Sequence, residues 1–454
     1  MKNRLLLINP PIYDFAAYNL WSRPLGLLYI ASFLKKLGFN VDYIDCLSLE
    51  YEGTELKNNP KLIGSKQRKY STYQYYKEET KKPEIYKSIK RNYYRFGIGK
   101  KTFFELLHNL ENPDAILVTS IMTYWYIGVF NVIKWLKEIY PGIPVILGGI
   151  YATLCYEHAL KNSGADYVLS GGNLEELLKL TNKILKTNET QKKYESQFEN
   201  NNPLPALSPA LDFYKKNDFI PLLTLIGCKF KCKYCASHYL CPQFTERYYS
   251  DIINEIEYWK NRYNIKDIAF YDDALLFNKE TRLIPLLNEV IKRKIKVNFH
   301  TPNGLHVKFI DKNTALLMKN AGFKTLRFGL ESSIKKFQKD SCNKVSNKDF
   351  DKTMRIINNA GFTKDEIGIY ILIGLPYQTP DDVIETIKLV KSHGVNPKLC
   401  EFSPIPHTLY FKESQKSSNK DLNEPLYQNN TTLELWSKEF SGNVINELKD
   451  IARS

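Results

Sequence analysis

Between residues 221 and 402, six short apolar runs alternate with segments of helical periodicity; they lie near 221–226, 268–272, 296–300, 324–330, 367–373 and 398–402. Runs this short and this apolar read as strands buried on both faces, and a helix between successive strands forces them to pair in parallel. Six such units imply an incomplete, partial (β/α)6 TIM-like barrel, open on one side. The unusual residues fall at the carboxyl end of strand after strand: a cysteine loop, Asp272-Asp273, His300 with Pro302-Asn303-Gly304, Glu331-Ser332, Gly374-Leu375-Pro376 and Ser403-Pro404-Ile405-Pro406. In a parallel barrel these ends share one mouth, where active sites are built.

The cysteine loop, IGCKFKCKYCASHYL, sets Cys228, Cys232 and Cys235 at Cys-x3-Cys-x2-Cys spacing. Three soft thiolates in so tight a loop suit three corners of a 4Fe-4S cubane, with one iron left open to a substrate or cofactor. A structural zinc site with Cys241 as fourth ligand is the competing reading, although no second Cys-x2-Cys knuckle accompanies it. Lys229, Lys231 and Lys233 alternate through the loop and either offset cluster charge or point to solvent.

This spacing, with the aromatic Tyr234 before the last cysteine, resembles the radical S-adenosylmethionine superfamily. The resemblance implies that the open iron chelates S-adenosylmethionine and that reductive cleavage yields a 5'-deoxyadenosyl radical. It also implies cofactor contacts from Tyr234, from Asp272 and Asp273 near the methionyl amino group, from Glu331 in RFGLESS, and from Gly374 and Pro376 in GIYILIGLPYQTPDD. Each has a plainer alternative: a helix N-cap for the aspartates, a salt bridge to Arg327 for Glu331, and a βα turn capped by Thr379 for the glycine run. His300 is a candidate proton shuttle and Asn303 faces the same mouth; Tyr377 and His407 are candidate substrate contacts. Relatives commonly carry Pro-Gly-Thr where this chain has Pro406-His407-Thr408, so the turn geometry there is open.

The first 187 residues repeat the alternation of strand and helix, which implies a Rossmann-like, doubly wound parallel sheet. Ligands of such sheets lie at the carboxyl ends of the strands, here Pro10-Pro11, Ser120 to Thr123, Gly148-Gly149 and Gly171-Gly172. The stretches NPP, RPLGLLYIASFLKKLGFNVDYID, ILVTSIMT, PVILGGIYAT and GADYVLSGG resemble the cobalamin-binding domain found ahead of many radical S-adenosylmethionine cores. Pro10, Pro11, Ser120, Thr123, Gly148, Gly149, Gly171 and Gly172 are then the implied cobalamin contacts. The Asp-x-His-x-x-Gly motif that supplies a lower cobalt ligand is absent, and Gly171-Gly172-Asn173-Leu174-Glu175-Glu176 stands where relatives often carry Gly-Glu-Gly-Glu.

The expected organisation is this domain over 1–187, a linker over 188–218, a radical core over 219–405 and a C-terminal tail over 406–454. A basic insertion interrupts the first domain at about 50–110; from Lys57 to Lys101 it has 14 Lys or Arg against Glu78, Glu79 and Glu84, interleaved with Tyr70, Tyr73, Tyr75, Tyr76, Tyr86, Tyr93 and Tyr94. Basic and aromatic residues so mixed can grip single-stranded nucleic acid, but a solvated helical insertion has the same composition, as does a lid for an anionic substrate. A zinc-stabilised RNA-binding module is therefore the alternative of a different class. No apolar run nears the length of a membrane span, and MKNRLLLINPP breaks too early for a signal-peptide core. Eight cysteines without a disulfide framework fit a reducing, cytoplasmic setting.

The combined expectation is an enzyme that methylates an unactivated carbon of a small molecule, using S-adenosylmethionine, a 4Fe-4S cluster and cobalamin. Its reductant would be a reductase or a flavodoxin- or ferredoxin-type donor. Cyclisation or rearrangement without methyl transfer is the second reading in that class.

Overall fold

A computed structural model describes residues 3–187 and 207–454. The chain forms two compact units, Met1–Lys216 and Asn217–Ser454.

In the first unit, β1 (Arg4–Asn9), β2 (Asn40–Asp45), β3 (Ala115–Val118), β4 (Val145–Leu147) and β5 (Tyr167–Val168) form a parallel sheet in the order β5-β4-β3-β1-β2. RLLLIN is buried along almost its whole length because β1 is central and covered on both faces. The helix Leu25–Leu37 returns the chain to β2 and ends at Gly38, which is left-handed; its N–H donates to the Lys35 carbonyl and the Phe39 N–H donates to the Leu34 carbonyl. The order reverses between β1 and β3, so the switch point opens beside Asn9-Pro10-Pro11 on one strand and Thr119-Ser120 on the other.

The basic insertion is a mixed segment of short strands between the helices Glu52–Asn58 and Lys100–His108 rather than one solvated helix. Ile12–Asp14, Tyr93–Phe96 and Lys77–Thr80 make one small antiparallel sheet, and Tyr18–Asn19, Tyr73–Gln74 and Lys66–Gln67 another. Tyr73, Tyr75, Tyr76, Tyr86 and Tyr93 are buried in it. Arg95 is also buried, paired with Glu55 at 2.8 Å and Glu78 at 2.7 Å. Rings that form a core cannot stack on bases, so these five tyrosines are not available to RNA, whereas Tyr70 is exposed.

Most of the expected linker, residues 188–206, lies outside the described residues. Residues 207–216 belong to the first unit instead of spanning a gap: Ala210 N donates to Leu28 O at 3.1 Å, and the Tyr214 hydroxyl donates to Asp45 at 2.6 Å.

In the second unit, β6 (Phe219–Leu222), β7 (Asp267–Phe270), β8 (Asn298–His300), β9 (Phe323–Glu331), β10 (Ile367–Ile373) and β11 (Asn396–Glu401) pair in parallel in sequence order. Among the described residues β6 and β11 are edges, so the barrel is open. Pro221, which lacks an N–H, is tolerated inside β6 because that strand is an edge. Phe270, Phe299 and Phe323 stack across β7, β8 and β9 at 5.3 to 5.6 Å. The segment after β11 is helical, with Leu409–Ser417, Leu433–Trp436 and Gly442–Arg453; the last helix packs on Pro380–Ser392 and β11, where Lys449 pairs with Glu401 at 2.5 Å.

His300 does not serve as an accessible shuttle. Its ring is fully buried, with Nδ1 3.0 Å from Thr325 Oγ1 and Nε2 3.1 Å from Asp267 Oδ1, so it laces β7, β8 and β9 together. Desolvation holds its pKa below 6.5 against the pull of Asp267. Because the folded value is depressed, this stabilisation is complete above pH 6.5 and is lost as pH falls toward the folded value. We expect His300→Ala to cost about 3 kcal/mol in urea unfolding at neutral pH, and the gap from wild type to narrow as pH drops below 6.5.

Candidate active site

Asp272 sets the geometry from which the cysteine loop springs. It is buried at the end of β7, and its Oδ1 accepts from Thr224 N at 2.9 Å and Leu225 N at 2.7 Å, just after β6. Arg282, itself buried, lies 3.8 Å from the same oxygen. Residues 273–282 are turns, so Asp272 and Asp273 are not a helix N-cap; Asp272 holds backbone through Oδ1, and its buried Oδ2 has no hydrogen-bond partner among the described residues. Asp273 lies on the cysteine side: its carboxyl pKa is pushed up by desolvation, against a hydrogen bond from Ser237, and further raised by Asp272.

From Leu225–Ile226, which pairs with Thr245–Glu246, the chain turns through Gly227 into the loop. All three loop cysteines are free thiols. Burial pushes the Cys228 thiol up and the Cys232 thiol up to about 12, so metal binding must displace protons from them. Cys235 Sγ receives the Ser237 amide at 3.5 Å and lies 3.3 Å from Ser237 Oγ, donors of the kind that surround cluster sulfurs.

Among the described residues no three His, Cys, Asp or Glu side chains converge closely enough to hold a single ion. A zinc site needs its sulfurs about 3.8 Å apart around one centre. A cubane instead takes each thiolate on a separate iron. Cys241, capping the short helix Ser237–Leu240, has its thiol pushed up to about 11 by burial and by Asp273.

Of the loop lysines, Lys229 lies 4.7 Å from the Phe244 ring, Lys231 is exposed, and Lys233 pairs with Asp340 at 2.8 Å. The buried cation is Lys344. Its Nζ donates to Tyr234 OH at 2.7 Å and to Glu331 Oε1 at 2.9 Å, and Tyr234 OH donates to the same carboxylate oxygen at 3.2 Å. Burial opposes the charge on Lys344, yet Glu331, Tyr234 and Cys232 hold its pKa well above 10.5. The partner of Glu331 is thus Lys344, not Arg327, which bonds the Leu326 and Glu366 carbonyls.

Asn303 Nδ2 donates to Tyr271 O at 2.9 Å, tying the β8 turn to the β7 turn. Gly374 has φ +85°, and a Cβ there would lie 2.5 Å from Leu433. The amides of Gly374 and Leu375 donate to Gln378 Oε1 at 2.8 and 3.2 Å, and Thr379 caps the helix that starts at Pro380. Pro376 and Tyr377 follow; Tyr377 is 70% exposed, with Lys336 Nζ 4.7 Å from its ring. His407 adopts φ +66°, the conformation a glycine would supply, and stacks on Tyr239 at 3.9 Å.

In the first unit the implied cobalamin contacts divide between two clefts. Gly148, Gly149, Gly171 and Gly172 line one, together with Thr119 and Asn173. Pro10, Pro11 and Ser120 line the other, at the switch point, with Thr119 and Trp125. Thr123 is buried at the start of a short 3-10 turn. Gly149 has φ +90°, and a Cβ would strike Ser120 O at 2.5 Å, whereas side chains added at Gly148, Gly171 or Gly172 would meet nothing within 4 Å. Three bare backbones facing open space make a cradle that fits a large cofactor lying against the chain.

Residues 222–390 match the family described as the radical SAM superfamily, and residues 94–178 match the B12 binding domain. The chain carries a radical SAM domain and a B12-binding domain. The B12 match begins inside the insertion and takes in β3, β4 and β5 but not β1 and β2. An uncharacterized methyltransferase of Pyrococcus horikoshii is 25% identical over 65% of this chain and 68% of its own length. The anaerobic magnesium-protoporphyrin IX monomethyl ester cyclase of Rubrivivax gelatinosus is 20% identical over 66% of this chain and 58% of the cyclase. The radical S-adenosylmethionine methyltransferase TsrM of Kitasatospora setae, solved with cobalamin and a [4Fe-4S] cluster, superposes with a TM-score of 0.68 at 15% identity, over 99% of this chain and 91% of TsrM. A radical SAM domain uses a 4Fe-4S cluster with S-adenosylmethionine, and a B12-binding domain uses cobalamin. Among the described residues no helix is long and apolar enough to cross a membrane.

Iron and sulfide analysis of anoxically reconstituted variants tests the ligand set. Cys228→Ala, Cys232→Ala and Cys235→Ala should each lose the cluster, and Cys241→Ala should keep it; loss with Cys241→Ala would restore the zinc-type set of four.

Proposed function

We propose that the protein is a cobalamin-dependent radical S-adenosylmethionine methyltransferase acting on an unactivated carbon of a small-molecule substrate. The observation that carries this reading is a Cys-x3-Cys-x2-Cys loop after the first strand of an open parallel barrel, in the same chain as a glycine-lined cleft on a B12-type sheet. In this reading Cys228, Cys232 and Cys235 hold the cluster, and Gly148, Gly149, Gly171 and Gly172 cradle the corrinoid. When bound, the cluster supplies the electron that cleaves S-adenosylmethionine and cobalamin carries the methyl group.

The chain's own residues bind, orient and exclude water. Asp272 fixes where the cysteine loop starts, by holding Thr224 and Leu225. Asp273 accepts from the methionyl amino group, and its raised pKa lets a cationic partner bring it into the ionised state. Glu331 offers a carboxylate to the ribose or methionyl end, and Gly374 and Pro376 border the adenine. Cobalt gains no histidine from an Asp-x-His-x-x-Gly motif, since the chain has none. A flavodoxin- or ferredoxin-type donor and a reducing cytoplasmic setting accompany an oxygen-sensitive cluster.

The cyclase among the relatives supports a second reading, ring closure or rearrangement without methyl transfer. Mass spectrometry separates the two: methylation adds a methylene unit to the product, rearrangement adds nothing. Either way, reduced protein should convert S-adenosylmethionine to 5'-deoxyadenosine, and stoichiometric zinc with no cleavage would contradict both. Gly148→Leu should fill the cradle, so that protein expressed with cobalamin retains less than about a tenth of the wild-type corrinoid absorbance with an unchanged unfolding midpoint.

A further inference from the structure

The last residue of the helix Lys335–Asp340 and the segment just beyond it grip the cysteine loop at two successive positions. Asp340 O accepts from Lys233 N at 3.0 Å, and Asp340 Oδ1 pairs with Lys233 Nζ at 2.8 Å. Tyr410, from the C-terminal helices, donates its hydroxyl to Asp340 Oδ2 at 2.6 Å and its amide to Lys233 O at 3.0 Å. Four residues on, Lys344 reaches Tyr234 OH and Glu331 Oε1. Between these two grips, Cys342 and Asn343 both adopt left-handed backbone, φ 56° and 50°, which is costly for two consecutive non-glycine residues and persists only where the surroundings require it.

Glu331 is itself at φ 64°, and its Oε1 folds back so far that a Cβ at Gly329 would lie 2.6 Å from it. Two donors, Lys344 Nζ and Tyr234 OH, occupy Oε1. Among the described residues no donor reaches Oε2, and that oxygen is not among the sealed, unpaired buried atoms. A carboxylate pinned through one oxygen presents the other in a fixed direction.

We infer that Lys344 is a positioning residue for S-adenosylmethionine: it pins Glu331 through Oε1, leaves Oε2 for the cofactor, and keeps the cysteine loop in register with the end of β9 through Tyr234. This rests on the radical S-adenosylmethionine reading above. Lysine suits the task because three rotatable donors let one ammonium serve a phenol and a carboxylate together. Removing it takes away the donor that pins Oε1, so the carboxylate is held only by the Tyr234 hydroxyl and its second oxygen is no longer aimed in one direction.

The test uses full-length, anoxically reconstituted protein, with S-adenosylmethionine affinity read from the change it induces in the electron paramagnetic resonance spectrum of the reduced cluster. Lys344→Met should retain iron and bind S-adenosylmethionine at least tenfold more weakly, Lys344→Arg should recover most of the loss, and Tyr234→Phe should weaken binding about threefold. Lys344→Met binding within twofold of wild type overturns the assignment. If Lys344→Met cannot hold iron, Tyr234→Phe decides: weakened binding with full iron supports the assignment, and unchanged binding overturns it. Wild-type protein that binds neither iron nor S-adenosylmethionine would contradict the broader reading instead.

Discussion

Parallel strands can be joined only by crossovers that return the chain to the same end, so every strand in both sheets delivers its following loop to one edge. That constraint gathers the chemistry of this protein. In the second unit it brings the cysteine loop after β6, the aspartates after β7 and Glu331 at the end of β9 to one side of an open six-stranded sheet. In the first it sets the two clefts at the ends of β1, β3, β4 and β5, where the strand order reverses and the glycine turns leave room. Neither site needs a long or unusual scaffold.

Within that frame the loops are held by buried charge. Asp272 takes two backbone amides beside the buried Arg282, and Lys344 sits between Tyr234 and Glu331. Such groups are costly to remove from water, and breaking one partner leaves the other stranded. They fix direction more than they add stability, which is what a site with three ligands and one open position needs. The insertion follows the same rule, with Arg95 buried between Glu55 and Glu78.

Much of this was legible in the sequence wherever a single local pattern determined the outcome. RLLLIN and NVDYID are strands within the bounds their apolar runs indicate, and the Thr379-Pro380 cap starts a helix as its residue types require. The first barrel strand, expected near 221–226, is Phe219–Leu222: Pro221 looks like a start but lies inside an edge strand, and Leu225–Ile226 belongs to a separate antiparallel pair. The tyrosines of the insertion were ambiguous because a phenol ring suits either a core or a base stack, and only tertiary pairing assigns five of them to the core. His300 looked like a mouth residue from its place at a strand end; its partners Asp267 and Thr325 lie on neighbouring strands. Lys344 carried no signal, since its contact with Tyr234 spans 110 residues.

The central claim is that three thiolates hold a cubane whose remaining iron is open to S-adenosylmethionine. Mössbauer spectroscopy of anoxically prepared protein, with and without S-adenosylmethionine, tests it most directly. The account predicts a 4Fe-4S spectrum in which one iron subsite changes when S-adenosylmethionine is added. A spectrum with four equivalent, unresponsive irons, or protein that holds zinc and no iron, would contradict it.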